Sequence, residues 1–143
     1  MILNRSVRIA ASGLTMQRAR MELIASNLAN AQTTRTAEGG PYRRKLPVVG
    51  AVSPDKGSFE SGLARALRGV EVSRVESDPR PPTMRFEPGH PDADSRGYVA
   101  YPNIDPVEET VDMVSAIRSY EANVNVIKQV RRMNEAALGL VRG

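Results

Sequence analysis

The sequence predicts a mainly α protein with a small β region. Long N- and C-terminal helices form a coiled-coil-like pair, and a short-stranded, loop-rich insertion lies between them. Three observations carry this. An apolar stripe runs through the first thirty residues, and a second helix starts at Asp105-Pro106. Most of the Gly and Pro fall in between. Composition agrees. Only 4% of the 143 residues are aromatic and none is Trp, so a single large core is not expected, because aromatic rings normally supply much of the buried area.

The first element is read from Ile2 to about Asn30. Alternating steps of four and three residues visit Leu3, Val7, Ala10, Leu14, Gln17, Met21, Ile24 and Leu28. All but Gln17 are apolar, a heptad-like pattern with Arg5, Arg8, Arg18, Arg20 and Glu22 off the stripe. Gly13 weakens the helix locally and admits a second backbone. Asn30 is the expected stop, because Asn tolerates the left-handed conformation that follows a helix. Thr33 to Thr36 read as extended chain.

The middle zone, 37–104, holds Gly39-Gly40-Pro41, Pro79, Pro81-Pro82, Pro88, Gly89 and Pro91, residues that punctuate helices. Four short strand-like runs lie among them: Leu46–Val52, Val70–Val75, Thr83–Phe86 and Tyr98–Tyr101. Together they are expected to form a small antiparallel sheet. Residues 53–69 read as a loop with a short helix around Leu63-Ala64-Arg65-Ala66-Leu67, and as the segment that stays disordered.

The last element begins where Asp105 caps, Pro106 presets φ and Glu108 stands at the third helical position. Glu109 and Asp112 favour the positive end of the helix dipole, and Arg131, Arg132 and Arg142 the negative end. Its stripe reads Met113, Ile117, Tyr120, Val124, Ile127, then Arg131 or Val130, then Leu138 and Val141. Nothing interrupts it from Pro106 to Leu140 except Gly139, which gives about 33 residues, or roughly 50 Å. Four short strands cannot cover a helix of that length, so the two terminal stripes need each other or further copies. The division expected is 1–36, 37–104 and 105–143, with the terminal helices packing as one polymerisation domain.

Net charge is +4, distributed as +6 over residues 1–50 and −1 over each of 51–100 and 101–143. A basic N-terminal helix supports an alternative reading as a nucleic-acid-binding protein. Against it, no aromatics interleave the basic residues for base stacking. Arg43-Arg44-Lys45 is the sharpest cluster. It is read either as meeting the acidic surface of a neighbouring subunit, such as that of Glu108, Glu109 and Asp112, or as a solvated charge run. The absence of Cys excludes disulfides, thiol catalysis and Cys-bound metal. His90 with Asp92 and Asp94 superficially resembles a metal site. It lacks the rest of a calcium loop and has no second His, so a Pro-flanked turn stabilised by Asp side chains is expected instead. A hydrolase would have His90 as its only base. No catalytic, cofactor-binding or metal residues and no small-molecule substrate are therefore assigned. No apolar run spans a membrane, and no secretory signal is visible at Met1-Ile2-Leu3-Asn4-Arg5.

Ala11-Ser12-Gly13-Leu14, followed by Asn27-Leu28-Ala29-Asn30, resembles the N-terminal signature of the flagellar rod and hook axial protein family. Four further stretches, 30–36 with 39–44, 88–94, 97–103 and 118–123, resemble its proximal-rod branch. The matches run in order from about residue 9 to residue 138. The resemblance implies a structural, non-enzymatic subunit of the basal-body rod crossing the periplasm. It implies terminal helices packed as an inner tube and export through the flagellar type III apparatus without a cleaved signal. The partners implied are copies of itself, other rod proteins and the adaptor joining rod to membrane ring. Subunit-interface residues are then expected along the stripes: Leu3, Val7, Leu14, Met21, Ile24, Asn27, Leu28 and Asn30, with Met113, Ile117, Tyr120, Val124, Ile127 and Leu138. Asn27 and Asn30 share a helical face, where an Asn can fix register.

Overall fold

The computed structural model describes residues 2–52 and 68–142. The chain runs through helix α1 (Ile2–Ala29), strands β1 (Lys45–Val52), β2 (Gly69–Ser77), β3 (Thr83–Phe86) and β4 (Tyr98–Tyr101), and helix α2 (Pro106–Arg142). All but Arg68 and Gly69 of the loop expected at 53–69 lies outside the described residues.

Both helices start and stop for local reasons. The Asn30 amide bonds back to the Ser26 and Asn27 carbonyls, and its side-chain amide donates to the Ser26 carbonyl at 2.9 Å, which closes α1. At the start of α2, the Asp105 carboxylate accepts the Val107 amide at 2.8 Å, satisfying an otherwise unpaired first-turn donor.

The two helices pack antiparallel. Asn27 meets Glu109, Arg20 meets Asp112, and Gly13 lies against Asn123. As α1 is followed backwards, α2 is met forwards. The faces turned together bury Ala10, Gln17, Ile24 and Asn27 of α1 with Glu109, Ala116 and Val130 of α2. Small residues at Gly13 and Ala116 let the helices approach closely. A Cβ at Gly13 would stand 2.8 Å from the Asn123 side-chain nitrogen.

The strands form two separate antiparallel pairs, β1 with β2 and β3 with β4, rather than the single sheet expected from sequence. Pro79, Pro81 and Pro82 between β2 and β3 explain the break, since proline has no N–H to continue a ladder. The first pair keeps register from Lys45↔Ser77 to Val48↔Arg74, slips, and resumes at Val49↔Val72. The slip is a bulge, and the Ser73 hydroxyl donates to the Val48 carbonyl at 2.9 Å beside it. This hairpin lies on α1, on a different side from α2. Its anchor is Ser12, whose hydroxyl accepts the Val70 amide at 3.1 Å and donates to the Ile9 carbonyl at 2.7 Å. Ser12 and Gly13, adjacent in sequence, thus serve the hairpin and α2 respectively.

The β3–β4 pair runs Thr83↔Tyr101 to Phe86↔Tyr98. Val99 is its buried residue, at 0% exposure. The connection folds back on itself through Asp94, whose carboxylate accepts the amides of Arg96 and Tyr98. Gly97 takes φ +80°, and a Cβ there would strike the Phe86 ring at 2.9 Å. The His90–Asp94 stretch is therefore a turn, as expected. Asp92, however, reaches outward to the Thr34 hydroxyl at 2.8 Å and faces Arg35 at 3.6 Å, tying the turn to the chain after α1. Among the described residues no group of acidic, His or Cys side chains is arranged to hold a metal ion.

Candidate functional site

A polar assembly joins the end of α1, the start of β1 and the first turn of α2. Its centre is Asn27, 1% exposed. The Asn27 side-chain nitrogen donates to the Lys45 carbonyl at 3.0 Å and to the Glu109 carboxylate at 3.2 Å. Its oxygen accepts the Lys45 amide at 2.9 Å and the Tyr42 hydroxyl at 3.2 Å. An Asn side chain offers two donor hydrogens and two acceptor lone pairs, and all four are used. The Tyr42 hydroxyl also lies 3.2 Å from the Ser26 hydroxyl, and the Lys45 ammonium sits 5.7 Å from the centre of the Tyr42 ring.

Glu109 is 0% exposed. A bare carboxylate at that depth costs several kcal/mol, and Arg44 compensates it. The Arg44 guanidinium, 9% exposed, donates to Glu109 and also lies 3.5 Å from Asp112 and 3.8 Å from Glu108. Asp112 in turn receives Arg20 from α1 at 2.9 Å. Two arginines and three carboxylates, from α1, α2 and the chain just before β1, thus form one network. The Arg44 carbonyl accepts the Asp78 amide at 2.8 Å, and so brings in the end of β2. The Asp78 carboxylate takes the Arg80 guanidinium at 2.6 Å and the Arg80 amide at 2.9 Å. Those bonds from Arg80 hold the Asp78 carboxyl below the usual carboxylate range.

Arg44 therefore meets Glu108, Glu109 and Asp112 of its own chain, which corrects the expected contact with a neighbouring subunit's acids. Its neighbours Arg43 and Lys45 are exposed. The opposite charges were legible in the sequence. Nothing in their spacing separates a partner in the same chain from one in the next. Of the other stripe residues, Ile24 and Asn27 are buried, and Val7, Leu14, Met21, Leu28, Asn30, Met113, Tyr120, Val124 and Ile127 are half-buried. Ile117 is 41% exposed, because Ala116 takes the position against α1, and Leu138 is 61% exposed. The side chain of Leu3, like that of Val141, lies outside the described ones.

Such a network orders chain segments and offers no group poised for chemistry. Two family models match the chain. The flagella basal body rod protein model covers residues 7–35, and the C-terminal model of flagellar basal body rod FlgEFG proteins covers residues 95–140. The flagellar basal-body rod protein FlgC of Borreliella burgdorferi is 40% identical, over 96% of this chain and 97% of its own. Those of Bacillus subtilis and Escherichia coli O6:H1 are 41% and 44% identical, over 93% and 87% of this chain. The chain belongs to the FlgC family. It is a structural subunit of the bacterial flagellar basal-body rod and not an enzyme, and it assembles with other flagellar rod components. Nothing in these similarities supports the nucleic-acid alternative. The first model match falls on α1 and the chain just after it, and the second on β4 and α2. The FlgC relatives also cover the middle region, which supplies Tyr42, Arg44 and Asp78 to the network.

Proposed function

We propose that the chain enters the torque-transmitting proximal rod by polymerising through α1 and α2, which act as one coiled-coil-like polymerisation domain drawn from 1–36 and 105–143. Residues 37–104 form a middle domain carried on its outside. The observation that supports this reading is the outer face of α2. Val107, Val111, Val114, Ile117 and Val126 are 71%, 65%, 45%, 41% and 44% exposed on a helix that already rests on α1. A helix serving one partner needs a single apolar side. The stripe residues Val7, Leu14, Met21, Ile24, Leu28, Met113, Tyr120, Val124 and Ile127 hold the pair in shape, and the outer residues meet other subunits. Copies of this chain, the adaptor between rod and membrane ring, and the type III export apparatus that carries it uncleaved complete the partners in this reading.

The test compares Ile127→Asp with Gln129→Asp in a strain lacking the native protein, scored by electron microscopy of basal bodies and by motility. Ile127 is half-buried and Gln129 exposed. A carboxylate at 127 enters an apolar seam at a cost of several kcal/mol in every subunit. Loss of rods for the first and near-normal rods for the second is the expected result. Normal assembly of both variants overturns the reading, and the reverse pattern overturns the helical phase.

A further inference from the structure

Arg43 is the arginine of the basic cluster that the network leaves unused. Arg44 is buried and bound to Glu109, whereas Arg43 is exposed. Among the described residues the Arg43 guanidinium takes part in no hydrogen bond or ion pair. It lines a recess of about 130 Å³ together with the Gly39–Pro41 turn, Arg80, Pro82 and Asn103. Arg80 spends Nε and Nη2 on the Asp78 carboxylate, at 2.9 and 2.6 Å. Its Nη1 has no partner among the described residues, and neither has the half-buried side chain of Asn103. The other charged groups of the recess, Arg44 and Asp78, are buried and already committed to Glu109 and Arg80. Pro41 and Pro82 have no N–H to offer. Three side chains thus bring unspent donors to one small space, and its only carboxylate is taken.

We propose that this recess receives one Asp or Glu side chain of an adjacent rod subunit, with Arg43 as its principal partner and Arg80 Nη1 and Asn103 as supporting donors. A carboxylate suits the donors because its two oxygens match the planar fork of a guanidinium. The size of the recess admits one such side chain, and a row of anionic groups would need a row of cations that the recess does not have. The acid does not come from the nearby residues of the same chain. Asp78 is held by Arg80, Glu109 by Arg44 and Asn27, and Asp112 by Arg20. Glu108 stands 3.8 Å from Arg44 and makes no pair with Arg43. A neighbouring subunit is the remaining source in a chain that assembles with other rod components. Once it is seated, Pro41 and Pro82 shield the ion pair from water, and such a pair attracts more strongly than one in bulk solvent. The contact lies in the middle region and does not depend on which helices polymerise.

Arg43→Lys, Arg43→Ala and Arg43→Glu each replace the native copy in cells, and rods are counted by electron microscopy of basal bodies. The purified chains are unfolded in urea as the control. Because Arg43 contacts nothing within the chain, all three variants are expected to unfold at the native midpoint. Arg43→Glu should nevertheless lower the number of rods per cell at least tenfold, Arg43→Ala should lower it less, and Arg43→Lys should stay near the native number. Arg43→Lys also sets an amine in the recess. Carbodiimide treatment of its isolated rods should join residue 43 to an Asp or Glu of another chain, read by mass spectrometry as an isopeptide bond. Normal rod numbers for Arg43→Glu overturn the proposal. So does a bond from residue 43 to an acid of its own chain, or no bond at 43 in assembled Arg43→Lys rods, because the recess then holds no neighbour's carboxylate. If Arg43→Glu unfolds early, Arg43→Ala and the coupling decide in its place, and normal rods from Arg43→Ala without a coupled product overturn it equally. Normal rods from Ile127→Asp would remove the terminal-helix reading and leave this one standing.

Discussion

Arg44 and Glu109 are expected to contribute unequally, and the structure says which way. In Arg44→Met the Glu109 carboxylate stays fully buried with one remaining donor, Asn27 at 3.2 Å. Stranding a buried partner of this kind costs about 3–5 kcal/mol. In Glu109→Gln the Arg44 guanidinium keeps Asp112 at 3.5 Å and Glu108 at 3.8 Å. The damage is confined to the amide, which faces donors from both Arg44 and Asn27 where the carboxylate accepted both. One opposed donor costs roughly 1–3 kcal/mol. The double variant relieves that opposition, because the amide nitrogen then faces an apolar Met. Its loss is expected to fall short of the sum of the single losses by about 1 kcal/mol or more, a coupling within the usual range for contacting residues. Urea unfolding of the purified chains, followed by circular dichroism, measures all three differences. Equal single losses, or a strictly additive double variant, refute the account of Arg44 as the residue that neutralises Glu109.

Further outcomes follow from the same contacts. In an Asn123→Ala background, Gly13→Ala is expected to stabilise α1 by about 0.5–1 kcal/mol. In the native background the gain is offset, because the new methyl stands 2.8 Å from the Asn123 side chain; thermal unfolding of the four chains decides. The Asp78 carboxyl titrates lower in the folded chain than in the unfolded one. Its contribution is therefore complete above the unfolded value of about 3.9 and is lost as pH falls through the lower folded value. The stability difference between the native chain and Asp78→Asn should accordingly shrink on acidification below about pH 4. Hydrogen exchange on the dilute chain is expected to protect residues 109–120 more strongly than Met133 to Arg142, with the latter gaining protection only on assembly.

The two helices and all four strands were legible in the sequence because each rests on local rules: a periodic stripe, a capped start, and β-branched runs between turn residues. Strands β3 and β4 match the expected Thr83–Phe86 and Tyr98–Tyr101 without change. The pairing of the strands was less legible, because the prolines that separate the two hairpins also read as ordinary loop residues. The phase of α2 was legible to within one residue. The apolar pattern favours Ile117, but the seam takes Ala116, since close approach to α1 rewards a small side chain there. The Arg44 network was half legible. Opposite charges stood in the right regions, but the decision between a contact within the chain and one between chains depends on the chain reversal after Asn30. That reversal is built from Thr33, Tyr42 and the positive-φ glycines Gly39 and Gly40.

The position of that network bears on what a rod subunit has to withstand. Apolar contacts are non-directional, so a seam of Ala, Gly and Val resists separation far better than it resists sliding. Hydrogen bonds weaken steeply with misalignment. A slip of α1 past α2 by a single residue, about 1.5 Å, moves Asn27 away from Glu109 and Arg20 away from Asp112 together. Lys45 and Tyr42 follow whichever helix keeps them. Shear along the pair is thus resisted where α1 ends and α2 begins. Toward the opposite end Gly13 packs against Asn123, and Met133 and Leu138 are exposed. In a rod subunit the polar site around Asn27 is a contact that opposes such a slip. Asn27→Asp probes this directly. It has nearly the same volume as the native residue, yet it sets a second carboxylate against Glu109 and replaces both donors. If register is held by this site, the variant should retain helix content but lose rod stiffness or assembly. An Asn27→Asp chain that builds normal rods would place the resistance to shear elsewhere in the seam.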